Sequence, residues 1–200
     1  VGDPGVGKST VLLDILADLQ KNGSNVLFVS GEMNRLDLYG YVQRFPKFKN
    51  LPILFLGEYL DNDPVKLLES EFNKGYDVIL LDSMAEICVM ISDYHRCTNK
   101  QAETIVLNLL EKHNLANNKN KTNTTFLIIQ QVTKTGNFAG SNRFKHQLSG
   151  MAHMIFETDD QRKIFFSKNR RGGRMRSLYF DLGPGGSVQW IHPDSVQTEA

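Results

Sequence analysis

The eight residues Gly2-Asp3-Pro4-Gly5-Val6-Gly7-Lys8-Ser9 fit the spacing G-x-x-x-x-G-K-S/T without a gap. Directly behind them, Val11, Leu12, Ile15, Leu16 and Leu19 recur at helical spacing, and Gly23 follows as a stop. Glycines let the backbone turn sharply with its amides facing inward, and the helix adds the positive end of its dipole. Together they make a phosphate cradle. A loop of this kind normally follows a buried strand, yet only Val1 stands before it. The expectation is that the first core strand lies upstream. It would leave a gap in the sheet beside the loop, between the strand ending at Asp82 and the one ending near Gln131. An isolated chain of that kind is expected to be poorly stable. Unpaired buried backbone groups cost roughly 1–3 kcal/mol each, against the roughly 5–15 kcal/mol that holds a domain together.

The remaining pattern gives the fold class. Strands are predicted at 25–30 (NVLFVS), 51–57 (LPILFLG), 76–82 (YDVILLD) and 126–131 (FLIIQQ). Helices are predicted at 36–45, at 63–75 with Asp63 as cap and Pro64 in the first turn, and along the face Ala102, Ile105, Val106, Leu109, Leu110. The stretch 117–125 is a polar loop. Strands alternating with helices predict an α/β domain with a mainly parallel, helix-flanked sheet. Shorter β segments at 153–158, 163–169, 177–182 and 187–191 predict antiparallel strands at the C-terminal edge. With no internal repeat and no linker, 1–200 reads as one domain.

Composition narrows little. The formal net charge is +1, so total charge selects no partner, but Arg162 to Arg176 holds seven basic residues and no acidic one. No apolar run reaches the roughly 18 residues of a membrane span, and a cytoplasmic setting is expected. Cys88 and Cys97 form no CxxC pair and read as reduced and structural. The five histidines (95, 113, 146, 153 and 192) show no metal spacing, and His113 falls on the apolar face of its helix. Met84, Met90, Met151 and Met154 read as core filler.

The chemistry follows from the loop. Lys8 is suited to bridge the β- and γ-phosphates of ATP and the Ser9 hydroxyl to ligate Mg²⁺, with Gly2, Asp3, Pro4, Gly5, Val6, Gly7 and Thr10 completing the cradle. Asp82 closes an apolar strand, where a carboxylate faces the ligand crevice, and is the second metal-side group. Two acids compete to orient the attacking water. Glu32 lies just beyond one strand and Glu86 just beyond another.

Five stretches in order carry a family resemblance: GDPGVGKST, VLFVSGE, YDVILLDS, QVTKTGNFAG and KNRRGG. With them the chain resembles the RecA-like ATPase core of the bacterial RadA/Sms recombination family, from the loop to about Leu182. The resemblance implies that Glu32 activates water and that Gln131 senses the γ-phosphate. It also implies that Lys168 and Arg170 reach a neighbouring subunit's nucleotide in a homo-oligomeric, hexameric ring or filament. The family motif Lys-Asn-Arg-Phe-Gly reads Lys168-Asn169-Arg170-Arg171-Gly172 here. The family's four-cysteine zinc module and Lon-like domain do not fall within these residues. DnaB-type helicases share the core and are the near relative.

The resemblance also puts 133–146 along a central channel, where Lys134, Arg143 and Lys145 would neutralise phosphates of single-stranded DNA and Phe138 would stack on bases. The expected function is an ATP-hydrolysing motor on single-stranded DNA in recombination, repair or branch processing. The alternatives are a replicative helicase core or a nucleotide switch without motor activity.

Overall fold

The computed structural model describes residues 1–132, 140–158, 161–172, 177–183 and 186–191. The chain divides into two compact units, one of Leu12–Gln130 and one of Val1–Val11 with Gln131–Ala200.

The first unit alternates helices and strands. Helix α1 (Lys8–Lys21) carries the boundary between the units and continues into this one. It is followed by β1 (Val26–Ser30), α2 (Arg35–Arg44), β2 (Ile53–Phe55), α3 (Pro64–Phe72), β3 (Val78–Asp82), α4 (Met84–His95), α5 (Asn99–Asn114) and β4 (Thr125–Ile128). The four strands form a parallel sheet in the order β2-β1-β3-β4. β1 and β3 are central and almost fully buried, which explains the apolar runs Val26–Val29 and Val78–Leu81. Leu13, Leu16 and Ala17 of α1 pack with Val26, Phe28, Phe45, Phe48, Leu51, Leu80 and Ile129.

Side-chain caps start the helices. Asn34 accepts from the amides of Leu36 and Asp37, while Asp37 accepts from the Asn34 amide. Asp63 caps α3 with Pro64 in its first turn, as the sequence predicts. Ser83 caps α4, a helix that the sequence reading missed. Met84, Ile87, Cys88 and Ile91 bury its inner face, a stripe of four residues too short to stand out in the sequence. The second predicted strand is shorter than expected. After Phe55 the chain turns through a 3₁₀ segment (Leu56–Glu58), where Glu58 takes a two-pronged ion pair from Arg35.

The second unit holds α6 (Asn142–Gln147) and an antiparallel sheet, β5 (Gly150–Phe156), β6 (Arg162–Asn169), β7 (Leu178–Leu182) and β8 (Val188–Ile191), in chain order. A bulge interrupts the β5–β6 register where Met151 faces Lys168 and Ala152 faces Phe166.

The expected gap beside the Asp82 strand is a misreading. β3 and β4 pair directly, from Val78 opposite Thr125 to Leu81 opposite Ile128. Gly2 takes its parallel bridges with Gln131 and Met154 instead. Strand order in a parallel sheet is set by the crossovers, which hydrophobic runs do not report.

Candidate functional site: the phosphate loop and the strand-end acids

The phosphate loop belongs to the unit that contains the antiparallel sheet. Gly2 is buried against β5, and a side chain there would begin 2.4 Å from the Met154 carbonyl oxygen. Gly7 has φ +95°, and its missing β carbon would lie 2.9 Å from Leu182 Cδ1 on β7. Val6 is fully buried and pins the loop from below. Gly5 has φ +80° and open space above it. Asp3 and Pro4 are exposed, Ser9 is half-buried and Thr10 is buried. The Lys8 ammonium donates to the carbonyls of Gly2 and Asp3, both at 2.8 Å. Lys8 is thus folded back over its own loop at the first turn of α1, with its charge against the loop carbonyls.

In the same unit Gln131 is exposed and bridges Gly2 through the backbone, while its neighbour Gln130, of the other unit, is buried. Lys168 lies on β6. Its ammonium donates to the carbonyls of Lys145 (2.5 Å) and His146 (3.2 Å) in the last turn of α6. Desolvation, then the charges of Arg170 and Lys145, pull its pKa below the usual lysine range. Arg170 is exposed, and its amide donates to the Ser149 carbonyl. Arg143 and Lys145 are exposed on α6, whereas Phe144 between them is buried and unable to stack on a base. Lys134 and Phe138 lie outside the described residues.

The strand-end acids belong to the parallel-sheet unit. Asp82 closes β3 and is buried, and Ser83 behind it is fully buried. Ser30 at the end of β1 is the register partner of Asp82. Glu32 follows on an exposed turn. Glu86, half-buried, sits in the first turn of α4, with its β carbon 3.1 Å from where a side chain at Gly31 would begin. Both competing acids therefore flank Gly31.

A hydroxyl and a carboxylate are hard oxygen donors that suit Mg²⁺, which keeps several waters and takes other ligands from substrate phosphates. Among the described residues no group of three or more His, Cys, Asp or Glu could hold a metal by itself. The open space over Gly5 and the Lys8 charge fit a polyphosphate cradle. Sequence reasoning passed over Ser30. The signal was available, since a serine is the one polar residue that ends an otherwise apolar strand.

Fold and loop define a class, the RecA-like P-loop fold. Similar solved structures include a KaiC-like protein from Pyrococcus horikoshii (TM-score 0.62, 16% identity, 96% of this chain and 87% of that one). The flagellar accessory protein FlaH from Methanocaldococcus jannaschii is another (TM-score 0.59, 13% identity, 96% and 87%). In sequence, the chain is similar over nearly its whole length to DNA repair protein RadA. It is 30% identical to RadA from Campylobacter jejuni over 190 residues, 94% of this chain and 40% of that protein. RadA from Rickettsia bellii is 26% identical over 197 residues, 98% of this chain and 42% of that protein. RadA from Streptococcus pyogenes is 28% identical over 199 residues, 99% and 42%. The chain thus spans about two fifths of the length of these relatives. No protein-family model matches it. Among the described residues no helix is long and apolar enough to cross a membrane.

Proposed function

We propose that this chain is the ATP-hydrolysing core of a RadA-type protein that acts on single-stranded DNA in recombination, repair or branch processing. The phosphate loop carries the proposal: Gly2 and Gly7 are shaped by close approach and positive φ, and the Lys8 ammonium lies on the loop carbonyls at the start of α1. The similarity to RadA supplies the DNA side of the reading.

Each residue then has a part. Loop amides and Lys8 hold the β- and γ-phosphates, and Lys8 exchanges its loop carbonyls for phosphate oxygens. The Ser9 hydroxyl and the Asp82 carboxylate would each offer an oxygen to Mg²⁺, which would supply charge neutralisation on the phosphates. Glu32 orients a water and takes its proton. The water oxygen bonds to the γ-phosphorus, the bond to the β–γ bridging oxygen breaks, and ADP leaves with inorganic phosphate. Gln131 senses that phosphate. Lys168 and Arg170 stabilise transition-state charge on a neighbour's nucleotide in a hexameric ring or filament, an effect of roughly 10³–10⁵ in rate for such groups. Arg143 and Lys145, with Lys134 and Phe138, contact DNA. Residues 1–200 act as one ATPase domain, in the cytoplasm of a bacterium or from a mobile element.

Turnover assays test the reading. ATP hydrolysis should rise with single-stranded DNA. Lys8→Ala should abolish tight ATP binding, whereas Glu32→Gln should bind ATP and stall. Hydrolysis that ignores DNA would favour a nucleotide switch.

A further inference from the structure

Glu32 stands two residues beyond a buried serine. Ser30 is 1% exposed, ends β1 and faces Asp82 across the sheet register. Its hydroxyl closes a small ring with Met33. The Met33 amide donates to Ser30 Oγ at 2.8 Å, and the hydroxyl donates onward to the Met33 carbonyl at 3.1 Å. On the other side of Glu32, the Gly31 amide donates to the Asp82 carbonyl at 2.7 Å. The next residue, Asn34, is locked into the cap of α2. Glu32 is therefore carried by a turn fastened at both ends, with its own side chain pointing out of the packed interior. A water-orienting carboxylate needs this kind of support, because a shift of about 1 Å in a reacting group is able to cost on the order of 10²-fold in rate.

We propose that Ser30 is a positioning residue for Glu32. Its hydroxyl fixes the Gly31–Met33 turn and so sets where the Glu32 carboxylate is presented. The proposal rests on the reading of Glu32 as the base. In this role Ser30 acts through Glu32, its hydroxyl being buried and engaged with Met33. The Met33 side chain is packed against the core of the parallel-sheet unit, so the turn keeps a second anchor when the hydroxyl is removed. The loss is then local and readable in the chemistry.

The experiment compares Ser30→Ala, Ser30→Thr, Glu32→Gln and the Ser30→Ala/Glu32→Gln pair. It measures kcat and KM for ATP, equilibrium affinity for a non-hydrolysable ATP analogue, and thermal melting. Ser30→Ala is expected to lower kcat by about tenfold or more while KM and analogue affinity stay within about twofold. Ser30→Thr, which keeps the hydroxyl, is expected to recover most of the rate. In single turnover the pair should be no slower than Glu32→Gln alone. Wild-type kcat in Ser30→Ala, equal losses in affinity and rate, or multiplying effects in the pair would each overturn the proposal. Normal turnover by Glu32→Gln would overturn the base assignment and Ser30's role with it. A stalled Glu32→Gln beside an active Ser30→Ala overturns the Ser30 role alone. If Ser30→Ala fails to fold, Ser30→Cys carries the test, because it keeps the size and weakens the hydrogen bonds.

Discussion

The Gly31 amide donates to the main-chain carbonyl of Asp82 at 2.7 Å. This bond, just beyond the last β1–β3 register pair, ties the turn carrying Glu32 to the end of the strand carrying Asp82, the proposed metal-side acid. Glu86 is the rival base, and its β carbon lies against Gly31. Two substitutions separate the candidates. Glu86→Gln is expected to hydrolyse ATP at close to the wild-type rate, and Glu32→Gln to stall. The reverse pattern would move the base to α4. Gly31→Ala should press on Glu86, since its new carbon would sit 3.1 Å from that residue's β carbon. Its stability should change by less than about 1 kcal/mol, because the squeeze offsets the gain of about 0.4–1 kcal/mol from a stiffer unfolded chain. Its turnover should fall. Chemical denaturation and steady-state rates read the two effects separately.

The loop glycines give a graded pair. Gly5→Ala meets only the backbone penalty of a positive φ, about 1–2 kcal/mol for an L side chain. Gly7→Ala meets that penalty and also a contact with Leu182 Cδ1 at 2.9 Å, to which overpacking adds about 1–3 kcal/mol. ATP affinity, measured by titration calorimetry, should weaken in both and further in Gly7→Ala. Trimming the obstacle with Leu182→Ala should restore part of the Gly7→Ala loss and none of the Gly5→Ala loss.

Lys168 has a partner inside its own chain, the last-turn carbonyls of α6. Lys168→Met should fray that helix end, which hydrogen exchange at Lys145 and Leu148 would register as faster exchange. Arg170→Ala should leave those amides unchanged. If the proposed ring exists, mixing Lys8→Ala with Arg170→Ala protein should restore some ATPase at hybrid interfaces. Full activity of a dilute monomer would contradict the ring.

His113 sets a pH dependence. Its ring is fully buried against Phe72, and neither nitrogen has a hydrogen-bond partner among the described residues. Burial, then the Lys112 charge, lowers its pKa from the ordinary 6.5, with Glu69 opposing. The folded ring stays neutral where the unfolded one already takes a proton. Stability from this group is therefore present above pH 6.5 and lost as the pH falls through that value toward the lowered one. The urea midpoint should drop between about pH 7 and 5. His113→Phe should flatten that part of the curve.

The parallel core was legible because its information is local. Val26–Val29 and Val78–Leu81 are short, unbroken apolar runs rich in β-branched and leucine residues, the pattern of buried strands, and the loop spacing fixed the start of α1. The packed state of His113 was legible from one helix face. What failed depends on pairing or tertiary rescue. The partners of Gly2 are set by crossovers distant in sequence, and α4 is hidden because its inner face is short. On the site side, residue types pointed to Lys8, Ser9 and Asp82 and left Glu32 and Glu86 in competition, and the family resemblance favoured Glu32. The brace from Ser30 is a hydrogen-bond geometry, and no spacing rule encodes it.

The central claim is that the loop around Lys8 binds ATP for hydrolysis coupled to single-stranded DNA. The most direct measurement is the steady-state ATPase rate of wild type and Lys8→Ala, each titrated with single-stranded DNA. The account predicts a wild-type rate that rises and saturates with DNA, and a Lys8→Ala rate at background throughout. Equal rates in the two proteins, or a wild-type rate that DNA leaves unchanged, would contradict it.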